Sequence, residues 1–210
     1  MNLKGLKINF LGDSITEGHG ATSRDKVYHQ LIKEKYGLAE ARNYGIGGTR
    51  IARQKTVSAN PIWDRDFMER CDEMSDDADA VIVFGGTNDF GHGDASIGSF
   101  DNMDIYTFYG ALRTLMEKLI NKYQGKPIVF LTPIHRCEEE KNGKKLITYV
   151  NIIKEVSQYY AIPVFDLYAN SGIQPEVEIL KEKFCPDGLH PNDDGHKLMA
   201  ERIGNFLAAL

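Results

Sequence analysis

Three residues that lie far apart in the chain are of the types needed for nucleophilic catalysis. Ser14 lies in the segment Leu-Gly-Asp-Ser-Ile-Thr-Glu-Gly, at a sharp turn after an apolar run. A serine hydroxyl is a weak nucleophile until a base takes its proton, and histidine suits that role because its ordinary pKa lies near neutrality. His190 is a candidate for this base. Asp187 lies three residues before it, and Gly188 permits a tight turn that lets both side chains face one site.

Attack on an acyl carbon also requires hydrogen-bond donors for the oxyanion that develops. The backbone N–H of Ser14, at a predicted helix N-terminus, is one candidate donor. Gly48 is a second candidate, because the absence of a side chain lets a substrate approach its backbone closely. The side-chain amide of Asn88, which follows a glycine pair at a predicted strand end, is a third.

Each of these residues also has a purely structural interpretation. Ser14 could cap a helix, Gly48 could provide a turn with positive φ, and Asn88 could be an ordinary turn residue. Position alone favours the helix cap for Ser14. The presence of Asp187 and His190 in the same chain favours the nucleophile instead.

The hydrophobic pattern predicts the elements that position these residues. Buried strands alternate with amphipathic helices, which indicates an α/β protein with a parallel sheet covered on both faces. Four strands are clear and a fifth, at residues 41–44, is weaker; the clear ones fall at residues 6–11, 79–84, 127–131 and 163–167. Helical spacing of apolar residues is found at 27–36, 105–120, 146–156 and 198–207. Ligands of open parallel sheets bind at the carboxyl ends of strands, so the polar residues that follow each strand should converge.

The segments Gly12-Asp13-Ser14, Asn43-x4-Gly48, Gly86-Thr87-Asn88-Asp89 and Asp187-Gly188-Leu189-His190 resemble, in order, the four blocks of the SGNH hydrolases, the GDSL-type esterases and lipases. The resemblance spans nearly the whole chain and predicts one domain over residues 1–210. It implies a flavodoxin-like three-layer α/β/α sandwich with a five-stranded parallel sheet. It also implies Ser14 as nucleophile, His190 as base, Asp187 as its orienting partner, and an oxyanion hole of Ser14, Gly48 and Asn88, with no cofactor.

Composition narrows the range of partners. The chain has 210 residues and a formal net charge of −5, and an acidic balance argues against a nucleic-acid surface. The three cysteines do not make a disulfide framework, which favours free thiols in a reducing compartment. No apolar run is long enough to span a membrane and no signal-peptide core is evident, so we expect a cytoplasmic protein that acts on a small-molecule ester. A homo-oligomer is left open.

Two residues are weaker candidates for substrate binding. His135 follows a predicted strand end, and Trp63, the only tryptophan, lies in a segment without clear pattern. Surface placement for His135 and loop packing for Trp63 are the competing interpretations. The segments 50–76 and 90–103 lack a regular pattern and could be functional loops or ordinary surface excursions.

The sequence favours a short acyl group, such as acetyl, on a carbohydrate or another small polar alcohol. The polar 90–103 segment and Trp63 suit such a substrate. A lysophospholipase or thioesterase of the same family, or acyl transfer to an acceptor other than water, is an alternative. From other classes, a non-enzymatic flavodoxin-like binding module and a metal-dependent phosphoesterase are the competing hypotheses. The Asp-rich run after His190 is typical of a helix cap, so no metal site is expected.

Overall fold

The computed structural model describes residues 1–210 and is built around one parallel sheet. Its five strands run in the order β2-β1-β3-β4-β5, and every neighbouring pair is parallel. The strands are β1 (Lys7–Gly12), β2 (Glu40–Gly45), β3 (Ala80–Phe84), β4 (Ile128–Leu131) and β5 (Val164–Phe165). This confirms the predicted five-stranded parallel α/β fold, including the weaker strand at 41–44.

Nine helices connect and cover the strands. They are α1 (Ser14–Glu17), α2 (Tyr28–Tyr36), α3 (Phe67–Glu73), α4 (Thr87–Gly91), α5 (Phe108–Lys122), α6 (Leu146–Tyr159), α7 (Leu167–Asn170), α8 (Glu178–Phe184) and α9 (Asp193–Ala209). Short 3₁₀ turns lie at Arg24–Lys26 and Pro61–Asp64. A two-stranded antiparallel ribbon pairs Glu140–Lys141 with Lys144–Lys145 around the turn Asn142-Gly143. None of the helices is both long enough and apolar enough to cross a lipid bilayer.

The sheet separates two apolar cores because successive side chains of a strand point to opposite faces. Val81 and Val83 of β3 pack in one core with helices α3, α5 and α6. Ile82 and Phe84 pack in the other core with helices α2 and α9. The continuous apolar run of β3 is therefore explained by burial on both faces, which gives the three layers.

Several element boundaries differ from the sequence prediction for local reasons. The helix predicted from residue 105 begins at Phe108, because the Thr107 hydroxyl caps it by accepting the N–H of Gly110. The last strand is shorter than predicted because Asp166 already caps the next helix. Within segment 50–76, α3 went unpredicted although Asp66 and Glu69 have the spacing of a capping box.

Candidate active site

Ser14 is the first residue of α1 and follows the end of β1, an interior strand of the sheet. The helix cap is the preceding residue, Asp13, whose carboxylate accepts the N–H of Ile15 at 3.0 Å. The capping role considered for Ser14 therefore belongs to Asp13. Burial raises the pKa of the Asp13 carboxyl to about 7. Because Asp13 provides the helix cap, the Ser14 hydroxyl is free to bond elsewhere.

A chain of hydrogen bonds runs from Ser14 to the turn that precedes α9. The Ser14 Oγ lies 3.0 Å from Nε2 of His190, and the Nδ1 of that ring lies 2.7 Å from Oδ2 of Asp187. Partial burial acts to raise the pKa of Asp187, but hydrogen bonds from the backbone and ring of His190 outweigh it and lower the pKa below its usual value. A carboxylate can only accept, so the ring proton sits on Nδ1 and Nε2 can take the serine proton.

The Asp187–His190 turn is fixed by contacts within a few residues and by one distant backbone. Oδ1 of Asp187 accepts the N–H groups of Leu189 at 2.8 Å and of His190 at 2.7 Å. Gly188 has φ of 78°, and its carbonyl accepts the N–H of Cys137 at 2.8 Å. A Cβ at position 188 would lie 2.6 Å from the Cys137 Sγ. Glycine is thus required here both by the backbone angle and by the close neighbour.

Ser14, Gly48, Asn88 and His190 line one cleft of about 460 Å³ at the carboxyl edge of the sheet. Gly48 has φ of 76°, and a Cβ there would lie 2.2 Å from the Trp63 ring. The Asn88 amide donates one N–H to the Thr49 carbonyl at 3.0 Å, which leaves its second N–H available. The three sequence-predicted oxyanion donors are therefore together beside the Ser14–His190 pair.

A buried arginine that the sequence analysis missed supports this side of the cleft. Arg70 of α3 is 2% exposed and donates to the carbonyls of Gly12 at 3.0 Å and Tyr44 at 2.7 Å, and to the Thr49 hydroxyl at 2.8 Å. Burial lowers the pKa of its guanidinium to about 10, so the group stays charged near neutral pH. Arg70 ties the ends of β1 and β2 to the segment that follows Gly48.

Asp89 holds the same segment from the opposite side. Its two carboxyl oxygens accept the N–H groups of Ile51 at 3.0 Å and Ala52 at 2.9 Å. Burial raises the pKa of this carboxyl to about 6.

The sequence signal for Arg70 was available, since a charged residue lies among the apolar positions Phe67, Met68 and Cys71 of one helix.

The two weaker candidates have different positions. Trp63 lines the cleft beside Gly48. His135 is not among the residues that line it: its Nδ1 lies 2.6 Å from Oε1 of Glu139, and its ring centre is 3.7 Å from that of Tyr168. The structure therefore does not bring His135 to the other site residues, because the chain after β4 turns towards α7.

The polar residues that follow His190 make hydrogen bonds to other groups of the protein. Asn192 caps α9 by accepting the N–H of Gly195 at 3.0 Å, and the Asp193 carboxylate accepts the N–H and hydroxyl of Thr22. His196 is fully buried. No group of three or more histidine, cysteine, aspartate or glutamate residues is arranged to hold a metal ion.

The parallel three-layer fold and a serine–histidine–aspartate chain at its carboxyl edge define a carboxylic ester hydrolase of the SGNH class. The sequence matches the GDSL-like Lipase/Acylhydrolase family over residues 10–198. The chain belongs to this family.

Known proteins resemble the chain to different extents. It is 28% identical to an acetylxylan esterase of Xylanibacter ruminicola over 94% of its own length but only 42% of that protein. A solved protein from Lactobacillus plantarum is 28% identical, with a TM-score of 0.86 and 98% of each chain covered. The lipase/acylhydrolase of Enterococcus faecalis is 22% identical, with a TM-score of 0.65 over 97% of this chain and 96% of the other, and shares the fold.

Proposed function

We propose that the protein removes short acyl groups, acetyl above all, from a carbohydrate or another small polar alcohol. The observation that carries this proposal is the hydrogen-bonded series Ser14–His190–Asp187, which opens into a cleft with the three candidate oxyanion donors. This arrangement has every part that acyl transfer through a serine ester needs. No cofactor enters the proposed reaction.

The proposed reaction has two symmetric halves. The Ser14 Oγ attacks the acyl carbon while Nε2 of His190 takes its proton, and the N–H groups of Ser14, Gly48 and Asn88 bind the oxyanion. His190 then gives the proton to the leaving alkoxide, which departs and leaves the acyl group on Ser14. A water molecule repeats the sequence, with His190 as base, and releases the carboxylic acid.

The character of the cleft supports a short acyl group and a polar alcohol. Most residues that line it are polar, and the apolar side chains are limited to Ile46, Ile62, Trp63 and Leu189. A long acyl chain would need an extended apolar surface to repay its removal from water. The resemblance to a protein named acetylxylan esterase supports the same substrate class, although the chain spans less than half of that protein.

The test is hydrolysis of p-nitrophenyl acetate, butyrate and octanoate, and of acetylated xylobiose, by the wild type and Ser14→Ala, with and without a chelator. We expect cleavage of acetate, slow cleavage of octanoate, and no effect of the chelator. Loss of the serine hydroxyl should lower kcat by up to about 10⁶-fold, as in other serine hydrolases. Equal activity of both proteins, or activity abolished by the chelator, would contradict the proposal.

A further inference from the structure

One wall of the cleft is organised by a second buried arginine, Arg50. Its side chain is 4% exposed, and its Nη2 donates to the Ser58 hydroxyl at 2.7 Å, the Trp63 carbonyl at 3.1 Å and the Asp64 carboxylate at 2.7 Å. Burial of an arginine is costly, and these bonds satisfy Nη2 and fix the segment that carries Trp63, whereas Nε of Arg50 has no partner within the protein.

The same guanidinium also determines the state of His92. Nη1 of Arg50 lies 3.2 Å from Nδ1 of His92 and 3.5 Å from its carbonyl. A guanidinium has no acceptor, so Nδ1 must accept this bond, and the ring proton lies on Nε2. Desolvation of the ring and the positive charge of Arg50 lower the pKa of His92 to about 4, which favours the neutral ring near pH 7.

His92 and Trp63 form a pair of ring N–H donors at the cleft. Their ring centres are 5.2 Å apart, and both line the cleft that contains Ser14. The Nε1 edge of Trp63 lies against Gly48, where an added Cβ would be 2.3 Å from that nitrogen. Nε1 of Trp63 and Nε2 of His92 make no hydrogen bond within the protein, whereas Nδ1 of His92 and the carbonyl of Trp63 are paired with Arg50.

We propose that Trp63 and His92 form a subsite for the alcohol half of the ester, in which their two N–H groups donate to hydroxyl or ring oxygens of a neutral sugar. The inference rests on the proposed function and makes its substrate class more specific. A sugar supplies several acceptors beside the ester oxygen, whereas a simple alkyl or aryl alcohol supplies none. His92 is then a specificity-determining residue, and Arg50 is a positioning residue that acts through it.

The two ring donors of this wall form an uncharged pair. The positive charge of Arg50 is offset by its ion pair with Asp64 at 2.7 Å, and the carboxyl groups of Asp89 and Asp94 also lie near it. His92 itself is neutral. Further positive charges, those of Arg136 and Lys141, act on His92 from outside the pair of ring donors.

The kinetic test compares His92→Phe, His92→Gln and the wild type on acetylated xylobiose and on phenyl acetate, whose alcohol half has no oxygen besides that of the ester. We expect His92→Phe to lower kcat/KM for the sugar ester by about tenfold, as for loss of one hydrogen bond, and to change that for phenyl acetate less than twofold. His92→Gln retains an N–H and should recover part of the loss. His135→Gln, outside the cleft, is the control and should change neither value.

A binding experiment distinguishes failure of the subsite from failure of the proposed function. In the Ser14→Ala background, acetylated xylobiose should bind measurably by calorimetry, and His92→Phe should weaken binding by about tenfold. Binding without hydrolysis by the wild type would overturn the proposed activity and leave the subsite standing. Equal binding with and without His92→Phe, or equal kinetic losses on both esters, would overturn the subsite. An Nδ1–H tautomer of His92, measured by ¹⁵N NMR, would do the same.

Discussion

The two sides of the cleft are built in opposite ways. On the proton-transfer side, Asp187 is bonded to Leu189 and His190 within four residues, and its side chain is 55% exposed. On the oxyanion side, Thr49 is bonded to Arg70 and Asn88, 21 and 39 positions away, and all three residues are buried.

The two sides of the cleft should therefore depend on the rest of the fold to different extents. The proton-transfer side is an exposed turn whose bonds are mostly local, so we expect it to contribute little to the stability of the protein. The oxyanion side is part of the buried interior, where an unpaired polar group costs free energy. A substitution on the first side should therefore affect catalysis alone, and one on the second side should affect catalysis and stability together.

The largest effect is expected for Asp187→Asn. The amide would favour the wrong tautomer of His190, so kcat for p-nitrophenyl acetate should fall by about 10⁴-fold. The midpoint of thermal unfolding should stay within a few degrees of the wild-type value, because the side chain is exposed. A large decrease in thermal stability would show that this turn also supports the fold and would contradict the proposed difference between the two sides of the cleft.

The next effect is expected for Arg70→Met. The carbonyls of Gly12 and Tyr44 and the Thr49 hydroxyl would lose their donor, which should lower the free energy of unfolding in urea by about 3–5 kcal/mol. Arg65→Met is the matched control, because this arginine pairs with Glu69 and Glu73 at the surface and should cost less than about 1 kcal/mol. Equal losses in the two variants would contradict the importance of the buried site.

Asn88→Ala should combine both kinds of loss. Removal of one oxyanion donor should lower kcat by about 10²–10³-fold with little change in KM. The Thr49 carbonyl would also lose its donor, so the free energy of unfolding should fall by about 1 kcal/mol. A change in KM alone would place the amide in ground-state binding instead of oxyanion stabilisation.

The smallest effect concerns pH and His29, which donates to the Thr16 carbonyl beneath α1. Burial lowers the pKa of its ring to about 4, against about 6.5 in the unfolded chain. The contribution of His29 to stability should therefore be lost as pH falls from about 6.5 towards 4. His29→Gln should reduce this slope by up to about 1.4 kcal/mol per pH unit, measured by urea unfolding at pH 7, 6 and 5.

Asp13 also titrates in this pH range, and its effect on stability has the opposite sign. Its raised pKa makes the folded state bind a proton more readily, which favours stability at lower pH. This contribution is shared by the wild type and His29→Gln, so it cancels when their slopes are compared. Identical slopes for the two proteins would show that His29 does not contribute to acid sensitivity.

The sequence predicted the parallel fold well because the hydrophobic pattern of a strand, its length and the turn residues that end it are local properties. The residues of the Asp187–His190 turn could also be singled out, since their spacing alone lets them bond. Arg50 could not, and the only signal for Arg70 was its place among the apolar positions of one helix, because an arginine is solvated by default and its burial depends on residues distant in the chain. The strand-end rule was too coarse for His135, since the chain leaves the edge of the sheet before reaching it.

The Ser14–His190 bond spans 176 positions of the sequence and has a consequence during synthesis. A ribosome adds about 5–20 residues per second, so the serine emerges many seconds before its base. In the meantime, α1 and β1 can form but the hydroxyl has no proton acceptor. The proposed acylation of Ser14 is therefore expected only once the segment from Asp187 to α9 has docked against α2. The proposed activity is in this sense a measure of whether that segment has docked.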